Sequence, residues 1–390
     1  MSTLSPFREE VALEAPAPPP AATAGGPAPS GKWVVLVAGF DYPRTGVDFQ
    51  RIALNRMELL VRRHAAAQRR AKARLAQVIA TVPRFVLFDL KSGRVRTRTA
   101  TPPKGTWTWK EIARFQPVGS SNYRPAGGRR HVFNNDQAGR MSITDVYKHV
   151  RKLGRTDPGS VAELSFLAHG WIGGPILVNS DESVAFQTRP DRDPNDKDAR
   201  MGKDFRAPTM NAAALADFRA AFAADGFVWI WGCAFANSPR QVLHRVLSSA
   251  KYRQTRLGGL VDTDSFRLAF SRTEAETFFS VDTTFFPPRG ANGAFPLSFD
   301  RMLAQIKAFL RGRLSQTYCQ AVARAAGVRC FGALPGTYAD YERGTALPVM
   351  VVPTKAPPYA DDFTRSIRFY TTYLGVTLDP ERRSYGRFDP

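Results

Sequence analysis

Cysteine is scarce in this chain, with three in 390 residues, at Cys233, Cys319 and Cys330. An odd, sparse set is no disulfide framework of the kind small secreted domains need. Cys319 and Cys330 fit either a pair in an oxidising compartment or two buried thiols. Histidine is nearly as scarce, with five residues, and no Cys/His spacing reads as a zinc site. No apolar run reaches the roughly 18 residues that a membrane-spanning helix requires. The N-terminus, MSTLSPFREEVALEAPAPPP, lacks the basic-then-apolar pattern of a secretory signal peptide. These absences predict a chain with no membrane span, either cytoplasmic or exported by a signal-peptide-independent route.

Positive charge is abundant. The 55 Lys and Arg against 34 Asp and Glu give a net charge of +21. Such a balance suits nucleic acid or an anionic surface as a partner. However, the basic residues between Arg51 and Arg74 fall all round a helical pattern that is nearly free of aromatics, which argues against nucleic acid. Hydrophobic residues at 43% and charged residues at 23% are the balance of a globular chain, long enough for one large domain or two.

Residues 1–31 are rich in Pro, Ala and Gly and read as a flexible tail. KWVVLVAGF (Lys32–Phe40) reads as a buried strand, Val47–Val82 as a basic helix, and PRFVLFDL (Pro83–Leu90) as a second strand. Lys91–Asn135 reads as irregular or hairpin structure. Ser142–Lys152 has helix-capping chemistry at its start and Gly154 as its stop. Val161–Ala168 is the third strand, Asn211–Ala224 a helix, and Gly226–Gly232 the fourth strand. Ser238 and Pro239 read as the cap and first position of a helix reaching Tyr252. Ser298 reads as the cap of a helix ending at Gly312, and LPVMVV (Leu347–Val352) as a later buried strand. Apolar strands alternating with helices predict an α/β protein with a mainly parallel central sheet flanked by helices.

Two stretches carry chemistry. LSFLAHGWIGGP (Leu164–Pro175) places His169 and Gly170 directly after an apolar strand, and GFVWIWGCAFANSP (Gly226–Pro239) does the same with Gly232 and Cys233. In an open α/β sheet, sites form outside the carboxyl ends of the strands. If the two strands are neighbours, an imidazole and a thiol share one crevice. A thiolate is a nucleophile, and an imidazole takes its proton and later returns it to a leaving amine. The N–H groups of Gly170 and Cys233 are candidate oxyanion donors. Each residue alone would be an ordinary core side chain; the matched pair points to a dyad.

A strand ending in His-Gly, followed by another ending in a small residue and Cys, resembles the caspase-like (clan CD) cysteine peptidases, which include caspases, metacaspases, legumains, gingipains and separases. The order of elements from Lys32 to Tyr252 is similar too. The resemblance implies a three-layer caspase-like fold over residues 32–355, with 356–390 as a C-terminal extension packing on it. It also implies a cysteine endopeptidase acting on protein substrates, with His169 as general acid/base and Cys233 as nucleophile. The caspase pentapeptide around the cysteine is absent, and a sizeable insertion separates the two residues. The same fold serving as an inactive scaffold, or as a basic nucleic-acid or anionic-surface binder, is the alternative.

The insertion contains DRDPNDKD, whose Asp191, Asp193, Asp196 and Asp198 raise the question of calcium. The calcium-loop template wants Gly and Glu where Asp196 and Gly202 stand, so the segment reads instead as a solvated acidic loop, and no cofactor is expected. Asp262 and Asp264 in GGLVDTDSF are candidates for an acidic pocket accepting a basic substrate side chain, and equally for turn residues. An α/β-hydrolase is disfavoured, because WGCAF lacks the flanking glycines of G-x-S-x-G.

Limited proteolysis is expected to remove residues 1 to about 31 first and to leave a core that unfolds cooperatively. Loss of solubility on deleting them would instead show that the tail packs.

Overall fold

The computed structural model describes residues 33–43, 45–73, 83–101, 106–126, 129–133, 139–180, 191–193, 195–255, 258–279, 282–340, 349–350 and 360–390. The expected tail, 1–31, lies outside the described residues. The valine-rich run forms β1 (Trp33–Ala38), buried from Val34 onward because β-branched side chains suit a strand packed on both faces. It leads into α1 (Phe49–Ala73), and then β2 (Arg84–Asp89) follows. Two hairpins come next, β3 (Arg94–Thr101) with β4 (Thr106–Arg114) and β5 (Tyr123–Ala126) with β6 (Arg129–Phe133). After α2 (Ile143–Thr156) the chain enters β7 (Val161–Leu167), then a tight hairpin of β8 (His169–Trp171) and β9 (Gly174–Ile176). α3 (Ala212–Ala220), β10 (Phe222–Ile230), α4 (Asn237–Ser248) and α5 (Ala250–Gln254) follow. The remainder comprises β11 (Ser265–Ala269), α6 (Arg272–Phe278), β12 (Ser298–Met302), α7 (Leu303–Ser315) and α8 (Tyr318–Ala326). It closes with β13 (Arg329–Gly332), β14 (Ala339–Asp340), β15 (Val349–Met350), α9 (Ala360–Leu374) and β16 (Gly386–Phe388).

β13, β10, β7, β1 and β2 run parallel in that spatial order, with β3 and β4 added antiparallel beyond β2 and β16 antiparallel beyond β13. Helices cover both faces. Phe166 of β7 meets Tyr147 of α2, which in turn meets Phe218 of α3 and Tyr318 of α8. Glu163 and Ser165, on the opposite face, point under α1. The chain is therefore α/β in three layers, with a mainly parallel central sheet flanked by helices. Among the described residues no helix is long and apolar enough to cross a membrane.

Several local expectations are corrected. Gly154 does not stop α2; a Cβ there would stand 1.8 Å from the Asp217 carbonyl oxygen, so glycine is required where α2 crosses α3. The fourth strand begins at Phe222, because a bulge between Phe222 and Phe227 interrupts its pairing with β7 and hides the early residues from a periodicity reading. Ala236, not Ser238, is the N-cap of α4. Ser298 is strand rather than cap, since it pairs with Ala269 in the β11–β12 hairpin, and α7 starts only at Leu303. Of LPVMVV only Val349–Met350 is described, and it pairs with Ala339–Asp340 outside the central sheet. The later strands of that sheet are the four-residue β13 and the three-residue β16, both too short to carry a period, and β16 comes from the segment expected to be an extension.

One buried cation ties these parts together. Arg56 of α1 is fully buried and donates through Nε and Nη2 to Glu163 at 2.9 and 2.8 Å, and through Nη1 to Glu381 at 2.7 and 2.8 Å. Its guanidinium lies 5.5 and 5.2 Å from the Trp229 and Trp231 rings, which stack at 4.1 Å. Burial opposes its charge, yet Glu163 and Glu381 hold its pKa above the ordinary arginine value. Without Arg56, Glu163 would keep only the Ser165 hydroxyl in the interior, while Glu381 would keep Arg63 at 2.6 Å. Arg56→Ala is expected to cost about 3–5 kcal/mol of unfolding free energy in chemical denaturation. A loss under about 1 kcal/mol would mean that Ser165 and Arg63 suffice to hold the two carboxylates.

Candidate active site

β10, β7 and β1 are adjacent and parallel, with Ile230 paired to Phe166 and Leu167 paired to Ala38, so their carboxyl ends share one edge. Cys233, His169 and Asp41 each lie two or three residues beyond those ends. The segments touch through their backbones. A Cβ on Gly170 would stand 2.7 Å from the Cys233 carbonyl oxygen and 3.2 Å from its nitrogen, and one on Gly232 would stand 2.9 Å from the Gly170 nitrogen. Gly39 repeats the pattern, with a Cβ position 2.7 Å from the Ala168 side chain. The glycines beside His169 and Cys233 are therefore demanded by close approach of the two strand ends.

His169 is held from several sides. Its Nε2 lies 2.9 Å from Asp41 Oδ1, and the rings of Phe49 and Tyr42 meet it edge-on at 5.0 and 5.3 Å. Asp41 also accepts from Thr45 Oγ1 at 2.8 Å and from the N–H groups of Gly46 and Val47 at 2.8 and 3.2 Å. Burial works against its charge, but the hydrogen bonds with His169, Thr45 and Gly46 prevail and hold the carboxyl well below its usual range. A carboxylate accepting from Nε2–H leaves Nδ1 of the neutral ring as the nitrogen that takes up a proton. Tyr42 is pushed up to about 12, first by burial and then by Asp198, Cys233 and Asp41, so it keeps its proton at neutral pH.

Cys233 is half-buried; its Sγ accepts the Ala339 N–H at 3.3 Å and, as a thiol, donates to the Ala339 carbonyl at 3.8 Å. Ala339 lies next to Cys233 because the Ala234 and Gly336 amides bond to the Thr337 and Ala234 carbonyls, at 3.2 and 2.9 Å. Cys319 and Cys330 are free and buried; burial, then a hydrogen bond with Cys319, pushes the Cys330 thiol well above its ordinary value.

Asp41 and Tyr42 went unnoticed in the sequence, although GFDYP follows the first strand as His-Gly follows the third and Gly-Cys the fourth. The repeated position just beyond a strand end was the available signal. Asp262 and Asp264 sit in the turn before β11. Lys307 and Lys251 reach them at 2.8 and 3.0 Å, and their carbonyls accept the Ala304 and Leu303 amides. Both carboxylates are thus engaged by the chain's own cations in a turn.

The solvated acidic loop is corrected. Arg192, Asp196, Lys197, Asp198, Arg200 and Asp204 are all buried. Asp198 accepts the amides of Leu177, Val178 and Ser180, while Arg192 pairs with Asp204 and Arg200 with Asp196. Asp193 accepts the Asn195 amide, and the Asp191 carbonyl accepts from Lys203. These acids turn to protein donors because the insertion folds into the core, which charge alternation alone does not reveal. Among the described residues no three His, Cys, Asp or Glu side chains come together as a metal site needs.

No protein-family model and no curated protein matches the chain. Among solved structures it is similar to a secreted C11 cysteine protease from Bacteroides thetaiotaomicron in complex with an irreversible peptide inhibitor. The identity is 12% and the TM-score 0.26, over 89% of this chain and 100% of that one. At that score the fold and the site rest on this chain's own geometry.

Because the Asp41 carboxyl is depressed in the folded chain, its contribution to stability is complete above the unfolded value of about 4 and is lost as pH falls toward the folded value. The stability gap between wild type and Asp41→Asn is expected to be larger near pH 7 than at about pH 3, by urea denaturation at each. A gap that widens on acidification would contradict an ionised Asp41 carboxylate.

Proposed function

We propose that the chain is a cysteine peptidase in which Cys233, His169 and Asp41 act in sequence. The observation that carries this reading is the joining of three neighbouring strand ends: Gly170 in backbone contact with Cys233, and His169 bonded to Asp41 at 2.9 Å. A nucleophile, a base and a group that orients the base are the arrangement nucleophilic catalysis requires.

The Cys233 thiol gives its proton to His169, and the sulfur attacks the carbonyl carbon of the scissile amide. The Gly170 and Cys233 N–H groups receive the developing oxyanion. When the C–N bond breaks, His169 returns the proton to the leaving amine, and a thioester remains on Cys233. His169 then takes a proton from water, hydroxide adds to the thioester, and the released thiolate completes the cycle. Asp41 keeps the proton on Nε2 and balances the imidazolium, a positioning role rather than a catalytic one. The substrate class is protein or peptide.

A second reading draws on one observation. On the β3–β4 hairpin, the Arg96 and Arg98 guanidiniums lie 5.0 and 5.6 Å from the ring of the exposed Trp109. Basic side chains beside an exposed indole suit an anionic surface or polymer, and steeply salt-dependent binding without thiol reactivity would favour that reading.

Iodoacetamide near neutral pH is expected to label Cys233 well ahead of the buried Cys319 and Cys330. Cys233→Ala should abolish peptide cleavage with the fold intact. His169→Ala should lower turnover about 10²–10⁴-fold and slow alkylation, and Asp41→Ala should slow alkylation as well. Equal labelling of all three cysteines, indifferent to His169→Ala, would make Cys233 a structural thiol.

A further inference from the structure

Two large apolar side chains stand exposed beside the candidate dyad. Trp171 follows His169 by two residues on β8, so their side chains share one face of that strand. Phe235 follows Cys233 by two residues, and a parallel bridge pairs Trp171 directly with Phe235, the Ile172 amide bonding to the Phe235 carbonyl at 3.3 Å. Each is 38% exposed, in a chain that buries Trp229 and Trp231 completely. Side chains at bridged positions leave the same face of neighbouring strands, which puts the two exposed apolar residues next to each other, two residues on from His169 and Cys233.

Both rings are held in place. A Cβ on Gly173 would stand 2.5 and 2.6 Å from two atoms of the Trp171 indole, so the ring rests on the bare backbone of that glycine. Phe235 meets the Tyr338 ring edge-on at 5.4 Å. Tyr338 is fixed in turn by Arg240, whose Nη1 donates to the phenol oxygen at 3.0 Å and whose guanidinium lies 5.4 Å from the ring. Tyr338 adjoins Ala339, the residue whose amide reaches the Cys233 sulfur. A rigid apolar surface continuous with the nucleophile loses little entropy when it receives a side chain.

We infer that Trp171 and Phe235 form a specificity subsite taking an aromatic or large aliphatic side chain of the substrate peptide, within about two residues of the bond presented to Cys233. This rests on the peptidase reading for its position, while the subsite itself is measurable without turnover. Gly173 positions Trp171, and Tyr338 positions Phe235.

The test uses the full chain and short peptides in which a single Phe is walked through an Ala/Ser background. With Phe at one position near the cleaved bond, kcat/KM is expected to exceed that of the all-Ala/Ser peptide about 10- to 200-fold. That ratio should fall to about threefold or less in Trp171→Ala and Phe235→Ala, recover in Trp171→Phe, and drop in Gly173→Ala, where the indole is displaced but present. Circular dichroism and thermal unfolding check that each variant folds. Fluorescence anisotropy on Cys233→Ala, alone and combined with Phe235→Ala, reads binding of the same peptides without chemistry. Cleavage indifferent to Phe, or governed only by Arg or Lys, overturns the subsite and leaves the peptidase standing. Absence of cleavage with Phe-dependent binding that Phe235→Ala removes upholds the subsite and overturns the peptidase. Neither cleavage nor binding overturns both.

Discussion

Arg56 carries a full positive charge out of reach of water, and three separate parts of the chain must close around it. The guanidinium belongs to α1, Glu163 to the middle strand of the sheet, and Glu381 to the segment that leads into the edge strand β16. A buried ion pair contributes little net stability over an apolar replacement, because desolvation offsets the attraction. Its effect here is geometric: a mispaired strand or misplaced helix would leave a buried charge without a partner. Ser165 bonds both Glu163 and the Trp231 indole, and the Tyr385 hydroxyl bonds the Trp231 carbonyl. The next residues are Gly232 and Cys233, so the network that holds α1 on the sheet also holds the strand end that carries the thiol.

From that end outward, close approach governs the site. Glycine stands at Gly39, Gly170 and Gly232 because a Cβ at any of them would meet a neighbouring segment at 2.9 Å or less. Adjacent strands lie about 5 Å apart, and these contacts carry that proximity beyond the last paired residues, where sheet geometry no longer enforces it. Asp41 Oδ1 then lies 2.9 Å from His169 Nε2, and two backbone amides and a hydroxyl bond the same carboxylate. The Asp41 carboxylate is thus held by neighbours in sequence and meets one distant partner, His169.

The insertion between His169 and Cys233 is anchored in the core by its buried charges. Asp198 gathers the amides of Leu177, Val178 and Ser180 beyond β9, while the buried Asp204 accepts from Arg192 and, at 2.6 Å, from the Tyr318 hydroxyl, which also bonds Tyr147. Polar groups in such a place must all find partners or cost several kcal/mol. Satisfied, they tie the β8–β9 hairpin, and with it His169 and Trp171, to the helical layer built from α2 and α8.

The α/β fold class and the places of His169 and Cys233 just beyond two strand ends were legible along the chain. Buried parallel strands are short apolar runs, and a histidine and a cysteine at their carboxyl ends are visible without coordinates, since the pattern is local. The short strands β13 and β16 were invisible, because three or four residues hold no period and only their neighbours make them strands. The charged insertion looked solvated because residue type reports charge, whereas burial is decided by which partners the fold brings near. Asp41 was marked only by its place just beyond the first strand end; the imidazole set against it comes from 128 residues away. Local chemistry is written along the chain. The pairing of α1 with β7, of Asp41 with His169 and of Trp171 with Phe235 joins residues far apart in it, and only the closed tertiary structure decides such pairings.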